Sequence, residues 1–453
     1  MSLGQERMAG FGGFQDSVKR VMTARTLGKK NESPSPEPED EEAKGERRRG
    51  FQKLVKKVVQ TQTTVNNVTR RPHKHVLYPS RSRSCIRRVS IVGAEPISQE
   101  TATELRMVVF GAADIQPFSL GEWLQHPFSF YDAGTAQAYG LRVPNCSTKG
   151  LLMCVQAYVL KHLLFSSRKL GAVADIPKLL RTTRAAQVEA LIGALSDVLW
   201  TAGGRQQAVL CLAHGDANTS DDPQYMDDGC TEKVVTFNLG SYEEVKFTVK
   251  KYLFEMVTDG HHGILLFLYS VILSRTFPSL REDLDGLDQP LIQTNGAIHP
   301  CLATLLLTGR ATPYLHNGIV YEGSEDTMAR AKTGILQRAE VGLLVWKRQD
   351  GDKGTAGSRL KTPSLPIWVT RCNDSYGILF NPNRDLIRDY HAENRFDLYY
   401  YSSNSSQSVT TILTIDTRSP SFREEYQLSP LENLIHTKWM DAEVNWNGTA
   451  PYV

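Results

Sequence analysis

The sequence predicts an α+β fold, with helices first and an antiparallel sheet afterwards, behind a disordered N-terminal arm. Three observations carry this prediction. Apolar residues recur at helical spacing between about Ser98 and Thr308, and short strand-like segments follow from Glu340 onward. Helices that precede strands favour an antiparallel sheet packed on helices. Residues 1–95, by contrast, contain little that a hydrophobic core could bury.

Residues 1–95 form the predicted arm, and residues 96–453 form one predicted domain. The segment Asn31–Glu42 consists largely of Pro, Ser and acidic residues, a composition that is typical of disorder. Residues 1–90 hold 20 Lys and Arg against 9 Asp and Glu, although the whole chain carries a net charge of only +3. The arm is therefore basic, and the rest of the chain is mildly acidic.

A short basic amphipathic segment lies within this arm at residues 51–60. Phe51, Leu54 and Val58 fall on one helical face, opposite Lys53 and Lys57. Such a helix can bind an acidic partner or a membrane surface, but a transient helix in a solvated tail is the simpler interpretation. Few aromatic residues accompany the basic runs, so no nucleic-acid partner is expected.

The composition is that of an ordinary globular protein, with 41% hydrophobic and 22% charged residues among 453. The most apolar stretch, Gly263–Ile272, is shorter than the roughly 20 residues that span a bilayer, so no transmembrane segment is expected. Seven cysteines are an odd number, and the first residues lack an apolar export signal. We therefore expect reduced thiols and an intracellular protein, cytoplasmic or nuclear.

Each predicted element follows from its own periodicity and end signals. The helix at Ala185–Thr201, for example, precedes Gly203–Gly204, where glycine can adopt the left-handed conformation that ends a helix. The predicted helices are Gly150–Arg168, Ala185–Thr201, Tyr242–Val257, Gly263–Ser274 and Cys301–Thr308. The predicted strands are Gln207–Ala213, Glu340–Trp346, Pro366–Arg371, Tyr376–Phe380, Phe396–Tyr401 and Val409–Asp416.

The motifs that would indicate a metal ion or a cofactor are incomplete, so neither is expected. Cys211 and His214 have the spacing of two zinc ligands but lack a second pair nearby, which favours a buried strand cysteine. The acidic loop His214–Cys230 lacks the ligand spacing of a calcium loop. Gly203–Gly204 lacks the context of a phosphate-binding loop, and His261–His262 lies at a turn where it caps a helix or faces solvent.

The most informative segment is Gly140–Phe165, in which a loop runs into a strongly apolar helix. Papain-like cysteine peptidases place their nucleophile at such a helix N-terminus, where the helix dipole and free N–H groups stabilise a thiolate. The histidine partner in that plan comes from a later strand of the sheet.

At this point the sequence resembles the MINDY family of deubiquitinating cysteine peptidases, and most of all its fourth paralogue. The resemblance implies a papain-like fold and the hydrolysis of polyubiquitin of the proteasome-targeting linkage. It covers nearly all of Ser98–Val453 and leaves the arm uncovered. The matching segments include Gly140–Phe165, Ala194–Val209, Gly263–Arg275, Leu305–Ala311, Ala339–Leu344, Lys361–Val369, Phe396–Tyr401, Leu413–Thr417 and Val444–Gly448.

The family's active segment reads Gln, about two residues, then Gly-Gly-Pro-Cys-Gly, followed by a helix that contains Val-Gln. When Gly150 and Val155–Gln156 are aligned to it without a gap, Lys149 stands at the position of the nucleophilic cysteine. Val143 stands at the oxyanion-stabilising glutamine, and Ser375 stands at the histidine. Lysine is a cation near pH 7, serine cannot exchange a proton there as imidazole does, and valine offers the oxyanion no donor.

These three positions lead us to expect a pseudoenzyme, a relative that does not hydrolyse isopeptides but can still bind ubiquitin or polyubiquitin. Two alternatives stay open. Cys146, three residues before Lys149, and His391, between the last strands, could form a non-standard catalytic dyad. The chain could also be a scaffold that acts through its basic arm.

Overall fold

The computed structural model of this chain describes residue 91 and most of the chain that follows it. The described residues are 91, 93–117, 119–143, 147–166, 176–215, 217, 224–323, 330–348, 356–404, 407, 410–420 and 428–451. Residues 1–90, with the amphipathic segment at 51–60, lie outside them, so the prediction of a disordered arm stays a prediction. The first paired backbone is β1 (Glu95–Pro96), close to the predicted start of the domain.

The first two thirds of the described chain is mainly helical, as predicted. Its helices are α1 (Gln99–Phe110), α2 (Leu120–Gln125), α3 (Lys149–Phe165), α4 (Ile176–Leu180), α5 (Arg184–Ala202), α6 (Tyr242–Val257), α7 (Gly263–Arg275), α8 (Phe277–Leu284) and α9 (Pro300–Thr308). Local chemistry explains several of their ends. Ser98, Thr183 and Ser241 each accept a hydrogen bond from a first-turn N–H, and Gly309 ends α9 in the left-handed conformation.

Two helices, α3 and α7, are buried on nearly all sides, which explains why they are apolar all round rather than on one face. Helix α3 packs against α5 and α9 and also contacts the main sheet. Among the described helices, none is long and apolar enough to cross a bilayer alone. Helices α7 and α8 together have the length and apolar composition of a membrane span, but their axes are bent by 85° where they join.

The C-terminal part forms a six-stranded sheet with the order β11-β10-β9-β8-β7-β6. Its strands are β6 (Gly342–Trp346), β7 (Ile367–Cys372), β8 (Ser375–Phe380), β9 (Arg395–Tyr401), β10 (Thr411–Pro420) and β11 (Ala442–Asn445). Helix α10 (Ser358–Lys361) precedes β7, and α11 (Pro430–His436) packs beside β6 and β7. One face of this sheet therefore meets α3, and the other covers a second hydrophobic cluster around Trp368 and Trp439.

The prediction of a purely antiparallel sheet is wrong for one pair of strands. Strands β6 and β7 are parallel, with Gly342 opposite Trp368 and Trp346 opposite Cys372, whereas the other neighbours are antiparallel. Parallel neighbours need a crossover connection, and the chain makes one over residues 347–366, which include α10. The sheet is mixed, and the α+β class is unaffected.

Two smaller sheets complete the described structure. Strand β3 (Val234–Leu239) lies between β1 and β2 (Ala208–Ala213). Strands β4 (Ile319–Glu322) and β5 (Arg330–Thr333) form an exposed antiparallel pair. The elements that were not predicted are α1, α2, α4, α8, α10, α11, β1, β3, β4, β5 and β11. Except for the 12-residue α1, each has two to eight residues, a length at which apolar periodicity is weak.

Candidate functional site

The candidate site is the N-terminus of α3, where the structure brings Val143, Lys149 and Ser375 to one end of the main sheet. Lys149 is the first residue of α3, and its Nζ donates to Oδ1 of Asn404 at 3.0 Å. Ile378 of β8 pairs with Tyr401 of β9. That antiparallel register carries Ser375, three residues before Ile378, to the level of Asn404, three residues after Tyr401.

Val143 reaches the same place through its backbone. Its N–H donates to the Oγ of Ser403 at 3.2 Å, and Ser403 is the neighbour of Asn404. The valine side chain is partly buried against the core. Val143 and Lys149 thus contact neighbouring residues of the segment after β9. The contribution of Ser403 and Asn404 was not predicted, because these residues are far from Lys149 along the chain.

A buried amide holds the loop that leads to this site. The side chain of Gln156, in the second turn of α3, accepts from the N–H of Leu141 at 2.7 Å and donates to the carbonyl of Tyr139 at 2.9 Å. Tyr401 donates its hydroxyl to the carbonyl of Leu141 at 2.7 Å. The Val-Gln pair in α3 was a signal for this arrangement, because a fully buried glutamine must satisfy its amide internally.

A glycine allows α3 to begin this close to the sheet. A Cβ built on Gly150 would lie 2.5 Å from Cδ1 of Ile298 and 3.1 Å from the ring of Tyr376. Tyr376 follows Ser375 directly, so this contact fixes the start of β8 beside the start of α3. Any larger residue at position 150 would separate the two elements that form the site.

The electrostatics of the site are positive. The half-buried ammonium of Lys149 lies at the helix end where the macrodipole already places partial positive charge, and the first turn of α3 contains no acidic residue. The carboxylate of Glu122 in α2 accepts a short hydrogen bond from Ser147, two residues before Lys149. This arrangement favours an anionic group next to the helix N-terminus.

The structure describes one member of the non-standard dyad, His391, but not the other, Cys146. Cys146 lies outside the described residues, so its position is not known. His391 lies at the wrong end of the sheet, in a short 3₁₀ helix (Tyr390–Glu393) that precedes β9, while Asn404 follows β9. The six residue steps of that strand separate them by about 20 Å. His391 is also exposed, and its ring lies against that of Tyr390 with centroids 3.9 Å apart. Since Cys146 lies outside the described residues, its pairing with His391 stays a prediction.

The described cysteines are unpaired and buried, which makes them poor nucleophiles. They are Cys154, Cys211, Cys230, Cys301 and Cys372. Burial raises the pKa of Cys211, Cys301 and Cys372 to about 12, and it raises the pKa of Cys154 and Cys230 as well. Cys154, one turn inside α3, therefore packs, as expected.

The other motifs that the sequence offered have structural roles in the described regions. Cys211 is a buried strand residue of β2, and within the described chain no group of three or more His, Cys, Asp or Glu could hold a metal ion. His262 precedes α7 in the left-handed conformation and pairs its Nδ1 with the carbonyl of Leu124 at 2.9 Å. Most of the acidic loop between His214 and Cys230 lies outside the described residues.

A partly buried charged cluster lies further along α3, away from the candidate site. Asp197 of α5 pairs with Nε2 of His162 at 2.6 Å and with Nζ of Lys161 at 3.0 Å, and it accepts from the Tyr242 hydroxyl at 2.7 Å. Burial alone would raise the pKa of Asp197, but the hydrogen bond from His162 and the charge of Lys161 lower that pKa to about 2. This cluster joins α3, α5 and α6.

Comparisons with known proteins identify the family. The family model described as "Deubiquitinating enzyme MINDY-3/4, conserved domain" matches residues 106–448. The "Probable ubiquitin carboxyl-terminal hydrolase MINDY-4" of Mus musculus is 34% identical over 83% of this chain and 49% of its own length. That of Homo sapiens is 33% identical over 79% of this chain and 46% of its own length. The "Ubiquitin carboxyl-terminal hydrolase MINDY-3" of Bos taurus is 27% identical over 51% of this chain and 55% of its own length. No solved structure matches the chain significantly.

The chain spans about half the length of the curated relatives it matches. Their names correct one prediction, namely that this chain is not an enzyme: the matched relatives are ubiquitin carboxyl-terminal hydrolases, so the chain falls in a family of enzymes. That prediction rested on three side chains, and these do not decide what the undescribed loop 144–146, with its thiol, contributes. The papain-like α+β fold is confirmed, and the chain belongs to the MINDY-3/4 family of deubiquitinating enzymes.

Proposed function

We propose that this chain takes ubiquitin or polyubiquitin as its ligand and receives the carboxyl-terminal end of ubiquitin at the N-terminus of α3. Two observations support the proposal. The matched relatives are named for the carboxyl terminus of ubiquitin. In this chain, the position that corresponds to the family nucleophile is the first residue of α3, at the end of the main sheet.

The observation that carries the proposal is the position of the Lys149 ammonium. It lies at the N-terminal, positive end of α3, and its Nζ donates a hydrogen bond to the Oδ1 of Asn404 at 3.0 Å. A carboxylate beside a helix N-terminus gains about 0.3–1 kcal/mol, and an ammonium near the surface adds up to about 1 kcal/mol. The site therefore favours a free carboxylate over a neutral isopeptide carbonyl.

The binding experiment compares two forms of ubiquitin, one with its free C-terminal carboxylate and one with a C-terminal amide. Isothermal titration calorimetry with the full chain should show about a three- to thirtyfold preference for the free carboxylate, which corresponds to about 0.7–2 kcal/mol. Lys149→Gln keeps a polar side chain but removes the charge, so it should reduce the preference to the share of the helix N-terminus, about two- to fivefold. Lys246→Gln, an exposed lysine on α6, is the matched control and should keep the full preference.

Two results would contradict this proposal. Absence of binding to either form of ubiquitin would refute ubiquitin as the ligand. Equal affinity for both forms would refute the role of Lys149 while leaving ubiquitin binding intact. High ionic strength should weaken the preference, because the charges lie near solvent.

Hydrolysis is measured in the same preparation with polyubiquitin chains. If the chains are cleaved, the Cys146→Ala variant tests whether the thiol three residues before α3 is the nucleophile. Cleavage that is lost in this variant assigns the nucleophile to the loop before α3. Cleavage that persists assigns it elsewhere, since the described cysteines are buried.

A further inference from the structure

A basic pocket of about 290 Å³ lies away from the candidate site, between the C-terminal ends of α5, α7 and α9 and the segment that leads into β6. Four arginines line it: Arg205, Arg275, Arg310 and Arg338. Helix α3 contributes Tyr158, nine residues after Lys149, which is about 13 Å along the helix axis. The pocket is thus separate from the proposed ubiquitin site.

Two of the arginines share one buried carboxylate. Asp283 accepts from Nε and Nη2 of Arg275 at 2.7 and 2.9 Å, and it lies 2.9 Å from Nη2 of Arg310. A single carboxylate therefore balances two guanidinium groups. The Nε of Arg310 is buried and has no hydrogen-bond partner among the described residues. A buried donor of this kind is costly unless a ligand or water accepts from it.

The other two arginines have no carboxylate partner in the described chain. Arg205 is exposed, and within the described residues its side chain makes neither an ion pair nor a hydrogen bond. Arg338 donates from Nε and Nη2 to the carbonyls of Thr362 and Pro363, both at 2.6 Å. These bonds orient the guanidinium of Arg338 but leave its charge unbalanced.

The charge of the pocket is therefore positive. Among the described residues that line it, Glu340 supplies the acidic side chain, and that carboxylate also binds Nζ of Lys161 at 2.5 Å. Four guanidinium groups face Asp283 and Glu340, and the C-terminal ends of α5, α7 and α9 add partial negative charge, so the excess of positive charge is smaller than two. No histidine lines the pocket in the described part of the chain. Two histidines lie behind its lining: His162, which pairs with Asp197 beside Lys161, and His316, beside Gly334.

We propose that this pocket binds a phosphate monoester. A monoester carries a charge of about −1.5 to −2 near pH 7 and three acceptor oxygens, so it can accept from several guanidinium groups at once, whereas a carboxylate carries −1 and two oxygens. Guanidinium groups bind phosphate oxygens in a bidentate manner. The volume is near the lower limit for small-molecule sites, about 300 Å³, and Tyr158, Leu307 and Ile335 offer an apolar wall to the esterified group.

Arg205, Arg275 and Arg310 lie 35 residues or more apart along the chain. The proposed ubiquitin site uses none of these three arginines. The fold brings them together from three helix ends that are far apart along the chain.

The test is calorimetric titration of the full chain with a sugar phosphate, and with a phosphoserine peptide to distinguish a free metabolite from a phosphorylated protein. Arg205→Gln should weaken binding of the sugar phosphate by about tenfold or more, because it removes a charged donor. Arg310→Gln should do the same while leaving the Arg275–Asp283 pair intact. Arg418→Gln, a surface arginine on β10 that pairs with Asp416, is the matched control and should bind as the unmodified chain does.

The pH dependence separates a phosphate site from a general anion site. The second pKa of a phosphate monoester is about 6, so the fraction present as dianion falls about fourfold between pH 7.5 and 5.5. The affinity of the monoester should fall by about the same factor. Sulfate stays a dianion at both values, and its affinity should be unchanged. Undetectable binding at millimolar sugar phosphate and phosphopeptide, or binding that is unaffected by Arg205→Gln and Arg310→Gln, would overturn the proposal. Ubiquitin binding by both variants should match that of the unmodified chain.

Discussion

Replacing the buried glutamine of α3 tests whether the loop before the site is held in place by the helix. Gln156 is fully buried, and its amide satisfies the N–H of Leu141 and the carbonyl of Tyr139. Gln156→Leu keeps a side chain of similar size but leaves both of these buried backbone groups without that partner. Each unsatisfied group costs about 1–3 kcal/mol, so we expect a loss of about 2–6 kcal/mol in the free energy of unfolding.

Urea denaturation measures this loss, read as a lower midpoint at an unchanged slope. Hydrogen exchange should show faster exchange at the Leu141 amide in particular, because its acceptor has gone. Gln206→Leu, at an exposed position after α5, is the control and should stay within about 0.5 kcal/mol of the unmodified chain. A loss below about 0.5 kcal/mol in Gln156→Leu would refute the reasoning, since the loop would then be held without the amide.

Three further predictions concern stability. Gly150→Ala should lower the free energy of unfolding, measured by chemical denaturation, by about 1–3 kcal/mol, because the new Cβ would overlap Ile298. Gly121→Ala in α2 is the control and should cost nothing, since its Cβ would lie 4.0 Å from the nearest atom. Equal effects of the two changes would contradict the packing argument. Asp197→Asn should lower the free energy of unfolding by about 2 kcal/mol at pH 7. Because the pKa of Asp197 is depressed in the folded state, the stability difference between the two proteins should vanish as the pH falls from about 4 to 2. A difference that does not depend on pH would contradict this reasoning. Lys149→Ala should change the free energy of unfolding by less than about 1 kcal/mol, since the side chain is half-buried. A loss of several kcal/mol would instead indicate a structural ion pair.

Several features of this protein could be predicted from the sequence because they depend on neighbours along the chain. Helix α5 was predicted at Ala185–Thr201 and lies at Arg184–Ala202, and α6 was predicted with the observed bounds. Apolar periodicity and capping residues act within one or two turns, so they can be read locally. The location of the candidate site at the start of α3 could be predicted for the same reason, since it is a loop that runs into an apolar helix.

Other features depend on pairs of residues that are far apart along the chain, and only the tertiary structure decided them. The parallel pairing of β6 with β7 follows from the crossover between them, and apolar strand patterns do not specify direction. Asn404 contacts Lys149 across more than 250 residues, and the length of β9 lies between His391 and Asn404. Strand register and strand direction determine which side chains share an end of a sheet, and both are set by long-range packing rather than by local sequence.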